Sequence, residues 1–210
     1  MKFKLYYSPG ACSLAPHIVL KEIGIPFEVE LVSTSDSTTS TEKYLSINSK
    51  GRVPALDIGD STLTEVSAIM TYLALLHPKS ELISKKPLEM ARTIEWMNWL
   101  ATIHATVIAQ NWRAERFSDN VDSYSDIQAK GFEELKKVSS DIDKKLRLNE
   151  WAIGNKYSIA DPYLLVLYRW GNRIGVDMSQ FANSTSHAKK MEMRNAVSSV
   201  LEFEGISIWK

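Results

Sequence analysis

Cysteine is almost absent from this chain of 210 residues: Cys12 is the only one. A lone thiol excludes an intramolecular disulfide and a dithiol redox mechanism, and it fits a reducing compartment. Charge of one sign is missing as well. Lys plus Arg and Asp plus Glu each total 25, for a formal net charge of zero. Neither nucleic acid nor an anionic membrane is therefore an expected partner, because neither would be held by bulk charge. A local basic pocket for a small anion remains compatible with that balance. Long apolar runs are lacking too. No stretch approaches the ~18 residues of a membrane span. The opening MKFKLYYSPG is interrupted by Pro9 and Gly10 before it could serve as a signal peptide. The cytoplasm is the expected compartment. What is present is an ordinary globular balance, 44% apolar and 24% charged, enough to build one large domain or two small ones.

The first eighty residues and the remainder carry different periodicities. Phe3 to Tyr7 alternates as a strand, Ser8-Pro9-Gly10 turns, and Cys12 to Ile23 places Leu14, Ile18, Val19 and Ile23 at helical spacing. Gly24 and Pro26 end that helix, and Phe27 to Val32 alternates again, completing a βαβ unit. Ser33 to Thr41 is rich in hydroxyls and reads as an exposed, mobile loop. A hairpin follows, Val53 to Ile58 and Ser61 to Leu63 about Gly59-Asp60, then a helix from Glu65 to Leu76. Residues 81–87 read as a linker inside the polar stretch His77 to Pro87. Beyond it strand signals vanish. Helices are expected over Leu88–Asn111, Ile127–Leu148, Ile159–Ile174 (apolar on nearly every side, hence buried) and Ser184–Glu204.

Several motifs stand where chemistry is feasible. Tyr7-Ser8-Pro9-Gly10-Ala11-Cys12-Ser13 hands a strand over to a helix N-terminus, where free N–H groups and the helix dipole favour an anion. A thiolate there would be the stronger nucleophile at neutral pH; the alternative is a small buried cysteine. Arg52-Val53-Pro54-Ala55-Leu56 offers either a cis-proline that presents the Val53 backbone to an extended peptide or an ordinary edge-strand proline. Leu63-Thr64-Glu65-Val66 opens a helix with an acid, suited to an amino-acid end or simply to capping. Ser158-Ile159-Ala160-Asp161 is a capping box in its Asp form, with a folding role worth ~1 kcal/mol for each partner.

Taken in order, these motifs resemble the bacterial beta-class glutathione transferases. Ala68-Ile69-Met70-Thr71-Tyr72-Leu73, Thr93-Ile94-Glu95-Trp96-Met97-Asn98-Trp99-Leu100 and Ile153-Gly154-Asn155 extend the likeness over nearly the whole chain. The resemblance implies an α/β thioredoxin-like domain at 1–80, joined by the linker to an all-α helical bundle at 88–210, and a homodimer. It implies glutathione as co-substrate, with no metal. Cys12 would lie beside the glutathione sulfur with Ala11, Ser13 and Tyr7 around it. Val53, next to Pro54, would pair with the cysteinyl backbone, and Glu65 and Val66 would hold the γ-glutamyl end. The family's loop lysine is replaced by hydroxyls and Asp36, which leaves Lys50 or Arg52 for that role. Its His-Lys pair, counted from Glu95-Trp96, falls on Ala105 and Thr106, whereas the chain has His104, one helical step of ~100° away. Either a local bulge restores His104 to the site, or the polar contact comes from Asn111, Arg113 or Arg116.

The expected activity is conjugation of the glutathione thiolate to a small hydrophobic electrophile, with Trp112 and Phe117 shaping the second pocket. Two other readings are a monothiol disulfide reductase working through Cys12 and a non-catalytic protein that kept only the fold.

Overall fold

β1 (Phe3–Tyr7) is the strand around which the first half is built. Its Leu5 is fully buried, flanked in register by Val29 on one side and Leu56 on the other. In the computed structural model, which describes residues 2–210, β2 (Phe27–Leu31) runs parallel to β1. A parallel pair needs a crossover, and α1 (Leu14–Ile23) supplies it with Leu14, Ile18 and Leu20 wholly buried. Gly24 then takes the left-handed conformation, φ 74°, and its N–H bonds the Leu20 and Lys21 carbonyls.

The segment Ser33 to Thr41 is exposed at most positions, but Thr39 turns inward. It leads into a short helix that the periodicity did not reveal, α2 (Glu42–Leu45). Tyr44 of α2 covers the outer face of the sheet with Tyr6, Val32, Val53 and Ala55. β3 (Ala55–Asp57) is shorter than expected and β4 (Thr62–Thr64) is displaced by one residue, and both pair antiparallel to give the order β2-β1-β3-β4. α3 (Val66–Leu76) buries Ile69, Met70 and Leu73 beside α1. A four-stranded mixed sheet with α1 and α3 on one face is the thioredoxin-like layout.

The linker is packed rather than free: Leu82 and Ile83 are buried, and the Leu82 carbonyl accepts the Ile159 N–H at 2.9 Å. Pro87, well suited to a first turn, opens α4 (Pro87–Ile103). The helix expected to run unbroken to Asn111 widens into a π-helical turn at His104–Ile108 and resumes as α5 (Ala109–Trp112). α6 (Tyr124–Leu146) buries only one stripe, including Leu135, Ile142 and Leu146. α7 (Ala160–Ile174) is buried from Ala160 to Gly171, as its all-round apolarity requires.

The last expected helix is in fact two, α8 (Ala182–Glu192) and α9 (Asn195–Glu204). Arg194 breaks them apart in an extended conformation. Its guanidinium donates to Glu22 of α1 at 2.6 and 3.0 Å and lies 3.6 Å from the Tyr157 ring centroid. A tertiary contact of that kind outweighs the local preference to continue a helix. Among the described residues, no helix is long and apolar enough to cross a membrane.

Candidate active site

The loop from Ser8 to Ser13 is closed from within. Ser13 Oγ accepts the Ser8 N–H and donates to the Ser8 carbonyl, both at 3.1 Å, so a fully buried hydroxyl is committed to holding the turn. The second half of the molecule clamps the same loop from outside. Gly10 N–H donates to Glu204 at 2.8 Å, and the Gly10 carbonyl accepts from Trp170 Nε1 at 2.9 Å and from Arg169 at 3.1 Å. Gly10 has φ 66°, and a Cβ there would meet the Arg169 guanidinium at 2.6 Å, so no other residue fits.

Cys12 follows, 7% exposed, its Sγ–H donating to the Val53 carbonyl at 3.1 Å. Burial pushes its thiol up to about 12. The Cys12 and Ser13 amides pull the other way, as the helix start predicts, yet they do not match the desolvation. Of the two readings of Cys12, a thiolate at the helix start or a small buried cysteine, the burial and the bond to Val53 favour the second.

Opposite, Tyr44 Oη and Asn48 Nδ2 donate to the Arg52 carbonyl at 2.8 and 2.6 Å and fix the chain just before Val53. The Val53–Pro54 bond is cis. Glu65 precedes α3 with φ 73° and ψ 126°, unusual for a residue with a side chain. It makes no capping bond; its carboxylate takes Lys50 Nζ at 2.5 Å, and Lys50 also reaches Thr64 Oγ1 at 2.8 Å.

Between these elements and the helical half lies a cleft of about 730 Å³. Ala11, Cys12, Lys50, Arg52, Val53, Pro54, Glu65 and Val66 line one side. Ala101, His104, Ala105, Ile108, Ala109 and Trp112 form a single stripe on the other, joined by Phe117, Tyr163 and Trp170. The stripe is wide enough for both positions 104 and 105 to face the cleft, and the π-helical turn begins at His104. His104 Nδ1 lies 3.1 Å from the Tyr163 hydroxyl, and its ring stands 4.7 Å from that of Trp170. Burial, then Arg52 and Arg116, hold His104 down to about 4, so it is neutral. Burial first, then Cys12 and Glu65, push the Tyr163 hydroxyl well above the usual phenol range.

An amide-lined helix start, an amino-acid-sized polar edge and an apolar second wall are what a thiol tripeptide and a partner molecule would need. Comparison with known proteins agrees. The glutathione S-transferase N-terminal domain model matches residues 1–75, and the C-terminal domain model matches residues 101–195. The chain belongs to the glutathione S-transferase family. It is 32% identical to glutathione S-transferase GstA of Escherichia coli O157:H7 over 209 residues, 97% of this chain and 99% of that one. A Sulfitobacter glutathione transferase homologue solved with bound glutathione superposes with a TM-score of 0.93 at 29% identity, covering 98% and 99% of the two chains. The bacterial beta-class enzyme of Sphingomonas chungbukensis gives 0.84 at 31% identity, covering 97% and 100%. The chain is thus a bacterial transferase with the two-domain fold that its motifs implied.

Not every expected site residue of the transferase reaches the cleft. Ser13 is used up in the loop, and Tyr7 turns away to pack against His17 and Phe203, at ring distances of 5.7 and 6.0 Å. Asn111 bonds its own helix, donating to the Val107 carbonyl at 2.8 Å. Tyr163, Arg169 and Trp170 line the cleft but carried no signal, because a helix buried on all sides hides which side meets a ligand. Among the described residues no group of His, Cys, Asp and Glu side chains is arranged to hold a metal.

Proposed function

We propose that this transferase joins the glutathione sulfur to a carbon of a small electrophile with a hydrophobic body. Glu65 takes the γ-glutamyl ammonium and the Val66 amide its carboxylate. Val53 pairs with the cysteinyl backbone, and Lys50 and Arg52 face the remaining carboxylate. The sulfur then lies beside Cys12, with Ala11 and the adjoining amides around it. It gives its proton to water, attacks carbon with the freed electron pair, and displaces a leaving group that departs with its own pair. Where the acceptor is an activated alkene, the π electrons move instead, and the neighbouring carbon takes a proton.

One observation carries this reading: Cys12, His104 and Tyr163 line one cleft, with the Cys12 Sγ–H committed to the Val53 carbonyl at 3.1 Å and His104 Nδ1 3.1 Å from the Tyr163 hydroxyl. Cys12 keeps its proton up to about 12, His104 loses its own above about 4, and Tyr163 keeps its hydroxyl proton. Such a wall has donors for an anion brought by the ligand and no nucleophile of its own. His104 Nδ1–H can support the Tyr163 oxygen while the Tyr163 O–H points at sulfur. A homodimer belongs to the same reading, since Leu75, Leu76, Leu88 and Ile94 are exposed on α3 and α4.

The test is Cys12→Ala assayed with chlorodinitrobenzene and with a glutathione mixed disulfide. Conjugation should fall by less than about tenfold, the worth of one hydrogen bond, while any disulfide reduction disappears. Collapse of conjugation by about a thousandfold would make Cys12 the reacting thiol. Glutathione binding by calorimetry with no turnover on any electrophile would favour the non-catalytic reading.

A further inference from the structure

The net charge of the chain is zero, yet the cleft is strongly cationic. Lys50, Arg52, Arg113, Arg116, Arg169 and Arg173 line it, against the carboxylate of Glu65, which Lys50 already neutralises. Arg169 is occupied with the Gly10 and Ser207 carbonyls. Among the described residues Arg113 donates its side chain only to the carbonyl of its neighbour Trp112, at 2.9 Å. Among the described residues, none of Arg52, Arg113, Arg116 and Arg173 is ion-paired with a carboxylate. Arg116 is pushed down by burial and by the charges of Arg52 and Arg113, with only Glu115 opposing. Like charges left together at a cleft wall form a field that an anion relieves.

Position says which anion. Rings of His104, Trp170 and Trp112 follow one another along the wall at 4.7 and 5.8 Å, leading away from the Cys12–Tyr163 end. Arg113 and Arg116 follow Trp112 in the chain, on the helical half of the lining, with Arg52 near enough across the cleft for its charge to act on Arg116. We infer that Arg113, Arg116 and Arg173 form an anion subsite for the second substrate, so that the preferred electrophile is an aryl or alkenyl compound bearing a carboxylate or sulfonate remote from its reactive carbon. The inference rests on the conjugation reading above and narrows its substrate class. An apolar body lies against Trp170 and Trp112 while the anionic tail meets guanidinium groups, whose planar fork suits carboxylate and sulfonate.

A matched pair of acceptors tests it: ethacrynic acid, an aryl vinyl ketone with a carboxylate tail, and its methyl ester. In each, the glutathione sulfur bonds the terminal alkene carbon, the π pair becomes an enolate, and water protonates it. With uncatalysed rates divided out, the parent enzyme should favour acid over ester in kcat/KM by about tenfold, the worth of one charge-assisted contact. In Arg113→Ala/Arg116→Ala that ratio should approach one, and Arg173→Ala should lower it in part. A parent ratio of one or below overturns the subsite. So does a raised KM for glutathione in the double variant with the ratio unchanged, which would give these arginines to the tripeptide. Absence of turnover with acid, ester and chlorodinitrobenzene alike would instead remove the conjugation reading beneath it.

Discussion

At the scale of the residue, the role proposed for Glu65 opposes local stability. A side chain at φ 73° and ψ 126° is expected to cost about 1–3 kcal/mol, and its carboxylate, largely exposed, returns only a surface pair with Lys50. Glu65→Gly should hold stability or raise it by up to about 1 kcal/mol in urea melts, while glutathione affinity drops at least about tenfold. Glu65→Ala should lose the affinity without the gain. His104 gives a second outcome. Its folded value of about 4 lies below the ordinary 6.5, so above pH 6.5 the ring is neutral in both states. As pH falls from there toward 4, the unfolded chain takes the proton and the folded one does not, so stability drops, by at most about 3 kcal/mol and less where cleft water screens it. Arg52 and Arg116 press the ring down, Glu65 lifts it slightly, and the Tyr163 hydroxyl is its bonded partner. His104→Gln should flatten the slope between unfolding midpoints at pH 7 and pH 4.5. That Cys12, Val53 and Glu65 would line one cleft was legible because each sits where a strand meets a turn or a helix. The sequence could not reveal how far burial pushes the Cys12 thiol up, since desolvation is set by residues distant in the chain.

At the scale of the element, most helices and strands were legible, and the failures share a cause. α2 is too short for a period to register, and the break at Arg194 is made by Glu22 and Tyr157, far away in sequence. The π-helical turn at His104–Ile108 leaves a pattern that still scans as continuous helix. The capping box before α7 was read correctly in kind and too modestly in size. Asp161 is fully buried and accepts the Ser158 N–H at 2.8 Å while Ser158 Oγ accepts the Ala160 N–H at 3.3 Å, the two bonds of a box, and Ser158 Oγ also donates to Asp161 at 3.1 Å. Asp161 also accepts the Ala152 N–H at 2.8 Å and faces His187 Nε2 at 2.9 Å. Asp161→Ala would strand all of these and should cost about 3–5 kcal/mol, against about 1 kcal/mol for Ser158→Ala. Equal losses in chemical denaturation would reduce Asp161 to a simple cap.

At the scale of the whole molecule, the two halves are tied through the loop that lines the cleft with Ala11 and Cys12. Glu204 near the end of α9 accepts the Gly10 N–H at 2.8 Å and faces His17 Nδ1 of α1 at 2.8 Å, with its side chain wholly buried. Trp170 and Arg169 take the Gly10 carbonyl from α7. A residue gripped at both its N–H and its C=O by the helical half cannot shift without disturbing Ala11 and Cys12 next to it. The cleft is therefore an interdomain construction, and neither half holds it alone. Glu204→Gln keeps one acceptor and should be mild. Glu204→Ala leaves the Gly10 N–H and His17 unpaired in a dry interior and should cost about 3 kcal/mol or more. The manner of the loss matters as much as its size. With the halves coupled through this contact, calorimetry of the parent and of Glu204→Gln should each give one cooperative transition. Glu204→Ala should lower the midpoint, and conjugation should fall even at temperatures where the variant is fully folded, because Cys12 and its amides are no longer held against the sulfur. A variant that unfolds earlier but retains full turnover below its transition would show that the clamp stabilises the fold without shaping the site.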